Sequence, residues 1–186
     1  MSLPILLTVL GVFLLPILGS IFLYNVLVKK RNQMREGWSG IEVQLKRRHD
    51  LIPNLVACVK EVSNFEKTVL ENVTEARANA QNVRNQLEAE AAEKVLVQEM
   101  AQFFFISEQY PELKSAESYR DLMDDLVEVE DHLQYARRYY NGSVRSYNNA
   151  VESFPSNIIA STFGFKRASF FEVEEVSERS VPKVDL

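Results

Sequence analysis

The chain has 186 residues, 46% of them hydrophobic, a net charge of −5 and one cysteine. That length holds one modest domain plus an anchor, and that apolar share excludes a wholly disordered chain. The acidic balance supplies no basic face for nucleic acid, and the lone Cys58 excludes an intrachain disulfide, leaving it the plain role of a small buried hydrophobe.

Leu3 to Val28 reads LPILLTVLGVFLLPILGSIFLYNVLV and carries no charged side chain. About 20 such residues cross a bilayer core, so the run predicts a transmembrane helix. A cleaved signal peptide fits worse, because it needs basic residues before the apolar run and a small-residue cleavage site after it. Here the basic residues follow, as Lys29, Lys30, Arg31 and Arg35. Cations beside a span favour the cytoplasmic side. The expected localisation is therefore the inner or plasma membrane, single-pass, with the N-terminus outside and the folded domain in the cytoplasm. Pro16 predicts a bend. Thr8, Gly11 and Gly19 fall roughly on one face, either toward lipid or toward a second helix.

The remainder has helical periodicity throughout and no sustained strand alternation. Trp38, Ile41 and Leu45 mark a first helix that ends on Lys46, Arg47, Arg48 and His49, where cations suit the negative end of the helix dipole. Asp50 then caps a second helix with Pro53 in its first turn. The alternative is one helix kinked at Pro53, because the apolar phase continues through Ile52, Leu55, Val59 and Val62 without slipping. The second helix runs on through Val69, Val73, Ala76, Ala80 and Val83. Asn85 with Glu88 reads as a capping box for a third helix carrying Ala92, Leu96, Met100, Phe103, Ile106 and Tyr110. Pro111 makes a turn. The fourth helix has the clearest stripe: Tyr119, Leu122, Leu126, Val129, Leu133, Ala136, Tyr140, Val144, Tyr147 and Val151.

The expected fold is all-α: an N-terminal transmembrane helix, then an antiparallel up-and-down four-helix bundle with an irregular C-terminal tail. The expected boundaries are residues 1–28 for the anchor, 29–154 for a cytoplasmic bundle, and 155–186 for an apolar membrane-proximal segment and an acidic tail.

Catalytic signatures are missing. His49 and His132 stand apart from each other and from Cys58, in no metal-ligand spacing. The Glu-x-x-His motif of a di-metal bundle is absent, as are a phosphate loop and a nucleophile elbow. The glutamates read as solvated helix faces. The sequence thus predicts no enzyme, no cofactor and no metal.

Three clusters are candidate contacts for a partner or lipid. Lys46, Arg47, Arg48 and His49 read either as a helix end or as a docking patch for an acidic partner or headgroup. Phe103, Phe104, Phe105 and Ile106 span the whole circumference of a helix, so one of them must leave a simple seam. Either the tail covers it or it is an exposed contact surface. The third cluster follows from counting directions in an up-and-down bundle, which places FPSNIIASTFGF at the membrane-facing end. There Phe154, Phe163 and Phe165, with Ile158 and Ile159, suit the bilayer interface or a cap on the bundle beside the anchor. Gly164 would end any short helix there.

Several stretches resemble the LemA family: YNVLVKKRNQMREGWSGIEVQLKRRHDLIPNLV (Tyr24–Val56), LENVTEARANA (Leu70–Ala80), YPELKS (Tyr110–Ser115), YNGSVRSYN (Tyr140–Asn148), FPSNIIASTFGF (Phe154–Phe165) and the ending PKVDL. Ala89–Phe105 matches none of the family's words. The resemblance implies a bacterial-type, membrane-anchored four-helix bundle without an agreed biochemical activity. It also implies an accessory role at a membrane, since some members associate with magnetosome membranes and others occur beside TPM-domain proteins or a membrane metalloprotease. The function expected is a non-enzymatic helical scaffold that recruits or regulates a membrane-associated protein. The alternative is a homo-oligomer that organises or curves membrane.

Overall fold

The apolar phase that begins at Ile41 decides the first helix. Ile41, Leu45, Ile52, Leu55, Val56 and Val59 are all buried, and the chain stays helical beneath them. The computed structural model describes residues 3–61, 65–83 and 86–171, with side chains of residues 3–13, 86 and 87 left aside. Its helices are α1 (Leu3–Lys60), α2 (Lys67–Asn82), α3 (Gln86–Ser107), α4 (Pro111–Ser115), α5 (Glu117–Glu152) and α6 (Ser156–Thr162). No strand occurs among the described residues. Val62, the Asn85 half of the capping box, the facing of Thr8 and Gly11, and the acidic tail with PKVDL lie outside the described residues.

Two expectations are corrected here. The first is the N-terminal transmembrane helix. Among the described residues, no helix is long and apolar enough to cross a membrane. Leu3–Val28 is not an element of its own but the opening of the 58-residue α1. The end of the apolar run is used for packing within the protein. Leu27 is fully buried in a cluster with Tyr147, Ala160 and Phe165, and the Tyr24 ring meets Phe163 and Phe165 edge-on at 4.9 and 5.7 Å. The single-pass topology falls with the span. Two of the cations expected to orient it are engaged elsewhere: Lys30 Nζ donates to Ser146 Oγ at 2.6 Å, and the Arg31 guanidinium lies 5.0 Å over the Phe165 ring.

The second correction is the helix end near Asp50. α1 continues to Lys60, and the next helix starts only at Lys67. Asp50 is not a cap; it pairs with Lys46 one turn back at 3.0 Å. Pro53 should disturb this helix, because it has no N–H for the carbonyl four residues earlier. That carbonyl belongs to His49, and Arg77 Nε on α2 donates to it at 2.5 Å. A side chain from the neighbouring helix thus replaces the missing donor. Arg77→Met should therefore cost about 1–3 kcal/mol, the penalty for an unsatisfied buried group. In a Pro53→Ala background the same change should cost much less, because an alanine at position 53 restores the intrahelical bond. Thermal melts of the four proteins form the double-mutant cycle, and equal losses in both backgrounds would contradict this account.

The chain divides into two compact units, Arg35–Tyr139 and Met1–Met34 with Tyr140–Leu186. In the first, α1, α2, α3, α4 and α5 share one core that includes Ile52, Val59, Val73, Leu96, Phe103, Leu113 and Leu126. α2 and α3 pack on each other. In the second, α1, α5, α6 and the segment after α6 meet around Leu27, Tyr147, Ala160 and Phe165. The α5 stripe is as the sequence predicts: Tyr119, Leu126, Val129, Leu133, Tyr140, Val144 and Tyr147 are buried. α6 ends as expected at Gly164, which has φ +71°, and Phe165 N–H closes the turn on Ala160 O at 2.9 Å.

Candidate functional site

Within the Arg35–Tyr139 unit, charged residues occupy the core. Arg48 and His49 sit three turns before the end of α1, in phase with Leu45 and Ile52, so the helix aims them inward. Arg48 is 1% exposed and His49 6%. Arg48 Nη1 donates to Glu93 Oε2 on α3 at 3.0 Å. Its Nε donates to Glu130 Oε1 on α5 at 2.6 Å, and its Nη2 reaches the same carboxylate in a two-pronged pair. His49 Nε2 lies 2.6 Å from Glu93 Oε1. Burial, then the positive charge of Arg48, lowers the pKa of nearby Arg137 from its ordinary value, against the opposing pull of Glu130, Glu93 and Glu90. Two guanidinium groups thus face three carboxylates, and the cluster ties α1, α3 and α5 together.

This placement splits the basic candidate patch. Arg48 and His49 are core residues. Lys46 is exposed beside Asp50, and Arg47 lies 3.8 Å from Glu128 on α5, both half-exposed. The reading of every glutamate as solvated is corrected at Glu93, which is 5% exposed. The sequence carried one usable signal: Arg48 and His49 interrupt an apolar stripe that does not otherwise slip, so a partner had to be waiting in the core.

A cleft of about 650 Å³ opens beside the cluster, lined by Trp38, Glu42, Leu45, Lys46, His49, Ala80–Val83, Ala89 and Glu93. Its carboxylates are already engaged, Glu42 by Trp38 Nε1 at 2.8 Å and Glu93 by Arg48 and His49. No Ser, Thr or Cys lines it among the described residues. Among the described residues, no group of three or more His, Cys, Asp or Glu side chains is placed to hold a metal.

The phenylalanine run divides as a helix dictates. Phe103 is 2% exposed and in the core, Phe104 packs partly against it, and Phe105 is 71% exposed. Val97 and Ala101 are also exposed. Positions 97, 101 and 105 are one turn apart, so they form an apolar ridge on the outer face of α3. In the other unit Phe165 is buried, while Phe154 and Phe163 are exposed.

The model of the LemA family matches residues 37–186. The chain belongs to the LemA family. Relatives include the magnetosome proteins MamQ 2 and MamQ 1 of Paramagnetospirillum magneticum. Each is 23% identical over 184 residues, which span 85% of this chain and 68% of the relative. Protein LemA of Metamycoplasma hominis is 23% identical over 163 residues, 87% of this chain and 74% of that protein. The matched range contains every member of the buried cluster. In this LemA-family chain Arg48, His49, Glu93 and Glu130 therefore fall within the family's own region, and so does the α3 ridge.

Proposed function

We propose that this LemA-family chain is a non-enzymatic helical interaction protein that associates with membranes and recruits or regulates a membrane-associated partner. The observation that carries the reading is the α3 ridge. Phe105 stands 71% exposed two residues from the fully packed Phe103, and exposed apolar ridges of this kind mark contact surfaces. The ion cluster supports it mechanically, because Glu93, one turn before Val97, anchors α3 to α1 and holds the ridge in place. Membrane association is supported by Leu14, Leu15, Ile17, Leu18, Ile21 and Phe22, which are 48–71% exposed. It is also supported by the names of the magnetosome relatives. Exposed Phe154 and Phe163, with Lys46 and Arg47, are secondary contact candidates on this reading.

The test is affinity purification of the full chain from detergent extracts, with Phe105→Glu as the control. The substitution touches an exposed side chain, so stability should stay within about 0.5 kcal/mol of the parent. The parent chain should bring down a stoichiometric partner, and Phe105→Glu should lose most of it. Recovery of the chain alone, across detergents and growth conditions, would overturn the reading.

A further inference from the structure

Two stretches of the unit formed by Met1–Met34 and Tyr140–Leu186 lack any charged side chain: residues 3–28 of α1, and residues 153–165 around α6. Each gives way to cations, Lys29, Lys30 and Arg31 in the first and Lys166 and Arg167 in the second. Phe165 joins the two switches. Its ring meets Tyr24, before the first switch, at 5.7 Å, and it carries the Arg31 guanidinium, after that switch, at 5.0 Å. Both stretches therefore turn from uncharged to cationic at the same level. The chain after Phe165 is fixed there by its backbone. Asn148 Nδ2 donates to Ala168 O, and Asn148 Oδ1 accepts from Ala168 N–H, both at 2.9 Å. Asn141 repeats the pattern on Phe171, at 3.0 and 2.8 Å. The side chains of Lys166 and Arg167 are left exposed.

On the uncharged side the surface is apolar. Ser156 and Ala160, four apart, face the protein, and Phe154 and Ile158, also four apart, face out. Phe154, Ile158 and Phe163 are 54–79% exposed. The hydroxyls among them are folded back on the backbone. Ser156 Oγ donates to Ser153 O at 2.9 Å, and Ser161 Oγ and Thr162 Oγ1 donate to Ile158 O at 2.9 and 2.8 Å. Ser20, among the exposed apolar residues of α1, does the same with Pro16 O at 2.8 Å. Internally satisfied hydroxyls suit a face that meets hydrocarbon, where no water completes an unmade bond. Charge identifies the rest of the surface's occupant. Among the described residues of this unit, six cations stand against one carboxylate, Glu152, in a chain whose net charge is −5. Glu152 engages Arg167 at 2.7 Å. We infer that α6 is an interfacial lipid contact: Phe154, Ile158 and Phe163 enter one leaflet of an anionic bilayer, and Lys29 and Lys166 meet its headgroups. This lipid contact rests on the membrane association proposed above; it enters from one side and needs no span.

Fluorescence reads the contact directly. Trp38 is the chain's single tryptophan, so Trp38→Phe gives a dark background for a Phe163→Trp reporter. The full-length chain is bound to vesicles of phosphatidylcholine and phosphatidylserine whose acyl chains carry bromine. Emission from the reporter should fall strongly relative to the same vesicles without bromine. Should Phe163→Trp lose helicity, Phe154→Trp carries the same test from a more exposed position. Vesicles of phosphatidylcholine alone should bind the chain at least about tenfold more weakly, as expected for two cations at an anionic surface. Lys29→Gln with Lys166→Gln should remove most of that difference. A vesicle-bound chain of parental helicity whose reporter is not quenched overturns the proposal, leaves membrane association standing and assigns this face to a protein. Equal binding to both kinds of vesicle overturns it too. A chain that binds neither overturns the membrane association with it.

Discussion

Arg48→Leu should destabilise the Arg35–Tyr139 unit by about 3–5 kcal/mol, because breaking a buried ion pair leaves its partners charged and uncompensated. Glu93 carries most of the loss. Its side chain is 7% exposed, so water cannot take over from the guanidinium. Glu130 is 39% exposed and will hydrate in part. His49 still reaches Glu93, which keeps the loss within that range. The reciprocal experiment isolates the cause. Glu93→Leu combined with Arg48→Met should recover much of the lost stability, since well-packed apolar groups replace buried ion pairs at little cost. Chemical denaturation of the single and double variants measures this directly. A loss under about 1 kcal/mol for Arg48→Leu would mean that the cluster is wet and does not clamp the helices.

Leu126→Asp should have a larger effect still. Leu126 is 4% exposed, on the face of α5 that packs into the shared core. The substitution removes a buried leucine, worth about 2–5 kcal/mol with its cavity. It also puts an unpaired carboxylate into an apolar site, which adds a further penalty of similar size. The sum is comparable with the whole stability of an ordinary domain, about 5–15 kcal/mol. Circular dichroism should show major helix loss and no cooperative melt in this unit. An unchanged melting temperature would place the core on a different face of α5.

The same residues show what a sequence can and cannot reveal. The α5 stripe was legible because burial there depends only on helical period, and each apolar residue states its own preference. The course of α1 was not. Asp50 and Pro53 are local stop signals, and they are overruled by Arg77, which arrives from the next helix to satisfy the carbonyl that proline leaves open. The apolar run at the N-terminus reads as a span from its residues alone, and only the fold shows that Tyr24 and Leu27 near its end are packed within the protein. Arg48, His49 and Glu93 were illegible for a related reason. A charged side chain is buried only with its partners, and those partners lie on helices whose registry no local pattern fixes. Asn141 and Asn148 pair with backbone, which has no sequence signature at all. The phenylalanine run lay between these cases. Its spread around the helix put at least one of its residues outside a simple seam, either covered by the tail or exposed, and Phe105 stands exposed.

The central claim, an interaction surface on α3 held rigid by the ion cluster, is tested most directly by photo-crosslinking in living cells. A photoreactive phenylalanine analogue at position 105 should capture one predominant protein, and the same analogue at exposed position 132 on α5 should not. Arg48→Leu, added to the position-105 variant at a temperature where it remains folded, should reduce that capture. Equal, diffuse labelling from positions 105 and 132 would contradict the account.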